Sequence, residues 1–321
     1  MFLCVSLNPA IDKRLHLEGL QRGSVNRARE AVAAPGGKAA HVAMVLRALG
    51  AAPVWLGFAG GATGKELTQG LAELSIQVEL VPISGSIRVN LEIIEDDGTV
   101  TEILEPGPGV TKAELRQLHE QLITVLDALA PKAATVIFSG SLPKGAPCDC
   151  YAALTKAVHQ RGGRVFLDTS GEALRNAVDA RPDFVKPNQS EAESLSGSSI
   201  REPESAASVL QNLMRAGVAG GAISLGADGL VSAWKGSSEV LWARAPRQES
   251  RFSVGSGDAS LAGFAFAAER GFGPVESVRL AAACGAANCL AERPGLARAC
   301  DIERLRGHVE VDVVASRESR S

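Results

Sequence analysis

The chain has 321 residues, with 33 Lys and Arg against 36 Asp and Glu and a formal net charge of −3. This balance excludes a nucleic-acid binder that works by counterion release, which needs a basic excess or stripe. Hydrophobic residues make up 45% and charged residues 21%, which excludes wholesale disorder, and no stretch of ~18 uncharged apolar residues is present to span a membrane.

In chain order, Met1 to Leu7 is apolar but short, lacks a basic leader and runs into Asn8-Pro9. It reads as a first strand rather than a signal peptide. The six cysteines (Cys4, Cys148, Cys150, Cys284, Cys289 and Cys300) contain no C-x-x-C pair, and they are expected to stay reduced in a cytoplasmic protein. Arg14 to Leu17, Asn26 to Ala33 and Ile87 to Leu104 alternate apolar and polar residues with period two, and Asp96-Asp97-Gly98 reads as a hairpin turn. Between them lie a helix over Lys38 to Leu49, a strand over Val54 to Phe58 and a helix over Lys65 to Leu74. The pattern predicts a small antiparallel sheet built from residues of about 12–34 and 86–105. A lid, an edge extension of the core and a dimer surface all fit it.

From Ala134 onward strands and helices alternate. Strands are expected at Ala134 to Phe138, Arg164 to Leu167, Phe184 to Lys186 and Ala222 to Leu225, with helices at Cys150 to Gln160, Glu172 to Val178 and Pro203 to Arg215. Short buried strands alternating with helices predict a mainly parallel sheet covered on both faces. Gly229 to Trp234 and Glu239 to Ala243 read as an antiparallel hairpin at one edge. A single domain over 1–311 follows, with a frayed charged tail over 312–321.

The strongest chemical signal is Val254-Gly255-Ser256-Gly257-Asp258-Ala259 at the start of a long apolar helix. Consecutive amides at a helix N-terminus bind anions, and the helix dipole adds positive potential. Asp258 there reads either as a capping acid or as a base taking a hydroxyl proton beside a transferring phosphoryl group, where positioning matters more than strong basicity. No G-x-x-x-x-G-K-[ST] occurs, and the Gly57 to Gly64 stretch lacks dinucleotide-binding spacing. Lys186-Pro187-Asn188-Gln189-Ser190-Glu191 follows a strand at the sheet edge where ligands bind. Asn188 and Glu191 read either as a capping box or as holders of hydrated Mg²⁺. Pro35-Gly36-Gly37-Lys38, with Asp12 upstream, is either a tight turn beside a surface acid or a polar-ligand site whose carboxylate suits sugar hydroxyls. Arg88 and Asn90 share a strand face and are either solvated or anion-binding.

Together these clusters resemble the ribokinase-like, or PfkB, family of sugar kinases over nearly the whole chain, from Asn8-Pro9-Ala10-Ile11-Asp12 to Gly285-Ala286-Ala287-Asn288. The branch resembled is that of bacterial kinases of fructose 1-phosphate, tagatose 6-phosphate and, in a minor type, fructose 6-phosphate. Its marks are Glu105-Pro106-Gly107-Pro108-Gly109, Ser139-Gly140-Ser141-Leu142-Pro143, Asp168-Thr169-Ser170-Gly171-Glu172-Ala173-Leu174 and Lys186-Pro187-Asn188. The resemblance implies a three-layer α/β/α fold with a mainly parallel central sheet and a small β lid. It implies ATP, Mg²⁺ and a phosphorylated ketohexose, foremost D-fructose 1-phosphate converted to fructose 1,6-bisphosphate. Tagatose-6-phosphate kinase and minor-type 6-phosphofructokinase are the alternatives.

The same resemblance implies Asp258 as base, with the amides of Gly255, Ser256 and Gly257 as an anion hole. Lys186, Asn188, Glu191, Ser224, Gly226, Gly229 and Asn288 would face the nucleotide, with Asn188 and Glu191 reaching Mg²⁺ through water. Asp12, Gly36, Gly37, Lys38, His41, Arg88, Asn90 and Ser139 would face the sugar phosphate. Lys38 and Arg88 supply the cationic donors a phosphate needs. A homodimer through the lid is also implied.

The chain departs from the family pattern G-G-K-G-x-N-V-A, reading Gly36-Gly37-Lys38-Ala39-Ala40-His41-Val42-Ala43. Ala39 is expected to put a Cβ where the backbone approaches the ligand. His41 stands for a sugar-binding asparagine, and a histidine titrating near pH ~6.5 is expected to make affinity pH-sensitive. Ser24 and Glu102 stand where the minor fructose-6-phosphate enzymes carry extra basic residues, which favours the other two substrates. A non-catalytic sugar-phosphate sensor on the same fold is the competing reading that these changes raise.

Overall fold

The computed structural model describes residues 1–128, 134–248 and 253–314. The first strand, β1 (Phe2–Ser6), is buried along its whole length, as a strand covered on both faces must be. β2 (Ala10–Leu17) and β3 (Glu30–Gly36) follow, then α1 (Lys38–Ala48), the wholly buried β4 (Val54–Ala59), α2 (Gly61–Glu73) and β5 (Gln77–Pro82). β6 (Arg88–Glu95) and β7 (Val100–Leu104) are the hairpin expected at Asp96-Asp97-Gly98. Next come α3 (Lys112–Ala128), β8 (Thr135–Ser139), α4 (Cys150–His159), β9 (Arg164–Asp168), α5 (Gly171–Asp179) and β10 (Phe184–Val185). They are followed by α6 (Gln189–Ser196), α7 (Pro203–Ala216) and β11 (Gly220–Ser224). The edge hairpin is β12 (Leu230–Trp234) and β13 (Val240–Arg244), and the chain closes with α8 (Ser256–Glu269), α9 (Pro274–Asn288), α10 (Ala299–Arg306) and β14 (Glu310–Val314).

Ten strands form the central sheet in the order β14-β13-β12-β11-β10-β9-β8-β1-β4-β5. Pairing is parallel from β11 to β5 and antiparallel from β11 to β14. Helices α1, α8 and α9 pack on one face, and α3 to α7 form a chain of neighbours on the other. This is the three-layer α/β/α fold. Apolar side chains along β1, β4, β8 and β9 interleave with both helical layers in one continuous core. An aromatic knot fixes α8 to the sheet: Phe184 of β10 lies 4.6 Å from Phe264 of α8 and 5.2 Å from Phe166 of β9, between ring centroids.

The second sheet runs β3-β2-β6-β7. Its outer pairs are antiparallel, as expected, but the central pair β2–β6 is parallel, in register from Ala10↔Arg88 to Leu17↔Glu95. Alternation assigns residues to faces and says nothing of strand direction. A second correction concerns the tail. Asp312, Val313 and Val314 belong to β14, which pairs antiparallel with β13 and is tied to it by Arg244, 3.0 Å from Glu310 and 2.5 Å from Asp312. Residues 315–321 lie outside the described residues.

Candidate active site

In open α/β sheets, ligands gather at the carboxyl ends of the strands. Here those ends deliver Asn8 after β1, Ser139 from β8, Asp168 from β9, Lys186 after β10 and Ser224 from β11. The second sheet brings Asp12 on β2 and Arg88 and Asn90 on β6 to the same place, with Asp12 directly opposite Asn90. It is locked to the core by Arg14, whose guanidinium pairs with Glu92 at 2.5 Å and donates to the Glu292 carbonyl; both side chains are buried.

The first motif expected to carry chemistry is intact. Gly255 sits at φ 80 as the N-cap of α8, a backbone conformation that disfavours a side chain. It turns the chain so that Asp258 lies in the first helical turn, where amides have no intrahelical acceptor. Among the expected anion-hole amides, that of Ser256 already donates to the Ser253 carbonyl at 3.1 Å. Behind them sits the Lys186 ammonium, 3.2 Å from where a Cβ on Gly257 would lie.

Asp258 is buried, and its Oδ2 is 2.8 Å from His41 Nδ1. The other ring nitrogen, Nε2, is 2.8 Å from Asp12 Oδ2, and Asp12 Oδ1 accepts from Asn90 Nδ2 at 2.9 Å. Burial works against the imidazolium, but the two carboxylates outweigh it and push the His41 pKa up to about 10. This corrects the expectation of titration near neutrality. Burial also disfavours ionised Asp12; the hydrogen bond and charge of His41, then Asn90 and the Gly37 amide, hold its carboxyl below the usual range. Gly36 leaves room for that carboxylate, since a Cβ there would stand 2.3 Å from Asp12 Oδ1, and Gly37 adopts φ 82 to aim its amide. Ala39 is fully buried within the apolar core, so its methyl is a packing group rather than the ligand-facing one expected.

A second charged cluster abuts the first. Asp168 Oδ1 is 2.8 Å from Lys38 Nζ, its Oδ2 is 3.0 Å from Lys186 Nζ, and Glu191 Oε1 is 3.8 Å from Lys38. Burial alone would raise the Asp168 pKa; Lys186 and Lys38 instead bring it down to about 2. Lys38, expected at the sugar phosphate, stands between Asp168 and Glu191, and the charges of Asp168, Asp258 and Glu191 hold its pKa above the ordinary lysine range. Asn188 and Glu191 form a capping box: Asn188 Oδ1 accepts from the Glu191 amide and Glu191 Oε2 accepts from the Asn188 amide, both at 2.8 Å. Ser224 bridges to Asn188 across the sheet.

Among the buried polar atoms without a hydrogen-bond partner among the described residues, five belong to residues at the carboxyl ends of β1, β8 and β9 or on β6: Asn8 Oδ1, Arg88 Nε, Asn90 Oδ1, Ser139 Oγ and Thr169 Oγ1. Buried polar atoms are nearly always satisfied, so such a set marks a place for a polar ligand. Two surface cavities lie elsewhere, one of about 310 Å³ beside Trp234 and Lys235 and one of about 410 Å³ among Pro35, Met44 and Pro294. The unpartnered atoms locate the site better than cavity volume does.

Residues 4–298 match the model of the pfkB family of carbohydrate kinases. The chain belongs to that family. It is 30% identical over 295 residues to the 1-phosphofructokinase of Bacillus subtilis, covering 92% of this chain and 94% of that one. Among solved structures it is similar to the tetrameric inhibited form of Escherichia coli phosphofructokinase-2, with a TM-score of 0.88 and 27% identity over 95% of this chain and 98% of that one. The same enzyme in complex with fructose-6-phosphate gives a TM-score of 0.87 and 26% identity over 96% and 98% of the two chains.

In this pfkB kinase the nucleotide-side expectations divide. Gly226 sits in open space, whereas Gly229 is demanded by packing, as a Cβ there would lie 2.1 Å from the Ala243 carbonyl. Asn288 is engaged within the chain. Its amide nitrogen donates to the Val254 carbonyl at 2.7 Å and to Ser256 Oγ at 3.4 Å, and its Oδ1 accepts from the Gly295 amide at 2.8 Å. It braces the glycine turn before α8. Asn8 and Asp168 are missing from the expected site; an asparagine just past β1 and an aspartate ending β9 are the signals that could have placed them. No group of three or more His, Cys, Asp and Glu side chains suited to a metal occurs among the described residues. Glu191 Oε1 is the carboxylate oxygen outside the capping box, 3.8 Å from Lys38.

Proposed function

We propose that this enzyme transfers the terminal phosphoryl group of ATP to a hydroxyl of a phosphorylated ketohexose, D-fructose 1-phosphate being the substrate and fructose 1,6-bisphosphate the product. The observation that carries the reading is Asp258, buried in the first turn of α8 and joined through His41 to Asp12 of the second sheet. Asp258 takes the proton of the acceptor hydroxyl. The first-turn amides and Lys186 meet the negative charge on the transferring group, and Lys38, held by Asp168 and Glu191, sits between donor and acceptor. A Mg²⁺ bound with the nucleotide would neutralise phosphate charge; on the protein side Glu191 and Asn188 would hold its water shell.

Asp12, Asn8, Asn90 and Ser139 offer hydrogen bonds to sugar hydroxyls, and Arg88 offers a cation to the substrate phosphate. Its Nη1 donates to the Glu105 carbonyl at 3.0 Å, leaving Nε buried and unpartnered among the described residues. Glu92 and Glu102 face each other across β6 and β7. Burial, then the charges of Glu92 and Asp12, raise the Glu102 pKa, and the pair offers no cation to a second phosphate. This supports a substrate with one phosphate, seated at Arg88. The similarity to the Bacillus subtilis 1-phosphofructokinase supports the 1-phosphate isomer.

The lid also leaves Ile103 49% and Leu104 59% exposed on β7. We assign this strand to a homodimer contact, which light scattering of the protein and of an Ile103→Lys variant tests. No helix among the described residues is long and apolar enough to cross a membrane.

A coupled ADP-release assay with ATP, Mg²⁺ and a panel of fructose 1-phosphate, tagatose 6-phosphate, fructose 6-phosphate and free fructose tests the reading. Highest kcat/KM on fructose 1-phosphate is expected. Preference for another panel member corrects the substrate, and tight sugar-phosphate binding without ADP release would favour the sensor.

A further inference from the structure

His41 joins two carboxylates that the reaction uses for different ends. Asp258 Oδ2 and Asp12 Oδ2 each lie 2.8 Å from one of its ring nitrogens, and all three side chains are buried. A nitrogen lone pair facing a carboxylate lone pair at that distance repels, so each line needs a proton. The triad therefore shares two protons and carries one net negative charge. The loop after α9 packs on His41 at Gly295 and carries exposed Glu292 and half-buried Arg293, while buried Arg14 of β2 is paired with Glu92. Asp258 comes from α8, Asp12 from β2, and Lys38 lies one turn earlier on α1, engaged with Asp168. β1, β4 and β8 bring no charged residue to α1, while Glu30 lies at the far, exposed end of β3 and Glu269 at the far end of α8.

We propose that His41 is a positioning residue that spans the sugar-binding and catalytic carboxylates as an imidazolium, fixing Asp258 through Oδ2 so that Oδ1 is presented to the acceptor hydroxyl. The inference rests on the reading of Asp258 as base, and it adds a second consequence. Asp12, Asp168, Asp258 and Glu191 crowd a site that must admit two phosphorylated ligands. Lys38, Lys186 and Arg88 balance three of those charges, and the imidazolium balances the fourth. An asparagine in its place donates to one carboxylate, presents an oxygen lone pair to the other and supplies no charge.

The test has two arms on the full-length protein. In ¹⁵N-histidine spectra, with His41 assigned by its loss in His41→Asn, both ring nitrogens are expected to stay protonated at pH 8 without any ligand. Asp258→Asn and Asp12→Asn should each lower the pH at which that proton is lost. A neutral ring titrating at its ordinary value of 6.5 overturns the bridge, whether or not the protein is a kinase. In the kinetic arm, His41→Asn should lower kcat roughly tenfold to a hundredfold, the scale of a misoriented catalytic group, with the KM for ATP within threefold. The alkaline limb of the wild-type kcat profile, set by loss of the His41 proton near 10, should vanish in the variant. A variant with wild-type kcat and the same alkaline limb overturns the positioning role. If no phosphorylated sugar is turned over at all, the kinase reading fails while the spectra still decide the bridge.

Discussion

Replacing Asp168 by asparagine isolates the contribution of one buried carboxylate to holding two ammonium groups. Lys186 has 3% of its side chain exposed and lies 3.0 Å from Asp168, whereas Lys38 is 38% exposed and keeps Glu191 at 3.8 Å. Lys38 can turn to water when Asp168 is neutralised, and Lys186 cannot. Nearly all the cost therefore falls on a single buried cation left uncompensated, about 3–5 kcal/mol. Removing the cation as well, in Asp168→Asn/Lys186→Met, takes away the unpaired charge and should return most of that loss, because an apolar replacement of a buried pair is often near neutral. Urea unfolding followed by fluorescence and circular dichroism gives midpoint and slope for the wild type, each single variant and the double variant. The reasoning is refuted if Asp168→Asn costs less than about 1 kcal/mol, the ordinary effect of a point substitution, or if the losses in the double variant simply add.

The same carboxylate gives a pH dependence. Its pKa falls from an ordinary 3.8 to about 2 on folding, so its stabilisation is complete above 3.8 and lost as pH falls through about 2; acid unfolding of Asp168→Asn should lack that component. Arg88→Ala should raise the KM for the sugar phosphate about tenfold or more, the loss of a charge-assisted contact, with the KM for ATP little changed; steady-state kinetics with each substrate varied checks the split. Gly36→Ala places a Cβ 2.3 Å from Asp12 Oδ1 and should displace that carboxylate, weakening sugar-phosphate binding in calorimetry while nucleotide binding persists.

What the sequence made legible follows from where the physics is local. Strands β1, β4, β8, β9 and β11 read correctly because strands covered on both faces appear as short apolar runs, and α4, α5 and α7 because their apolar residues recur at helical spacing. β5 and β14 escape notice since each is an edge strand with mostly exposed or half-exposed residues, and alternating acids in Glu310 to Val314 resemble a solvated tail. The glycine turn before Asp258 was readable because an anion-binding helix start is a contiguous motif. The His41–Asp258 contact joins residues 217 positions apart, and nothing within either segment announces the other. The expected neutral titration of His41 failed for that reason: its two carboxylates arrive from β2 and α8 only once the chain is folded. The bracing bonds of Asn288 escape the sequence for a related cause, because a lone amide near the end of α9 looks the same whether or not it holds a loop.

The central claim is that Asp258 is the base of a phosphoryl transfer. Turnover of fructose 1-phosphate with ATP and Mg²⁺, measured for the wild type and for Asp258→Asn at matched folded concentration, tests it most directly. A loss of roughly a hundredfold or more in kcat is expected, the scale of a general-base contribution, with both substrates still bound; turnover within a few fold of the wild type rules out Asp258 as the base.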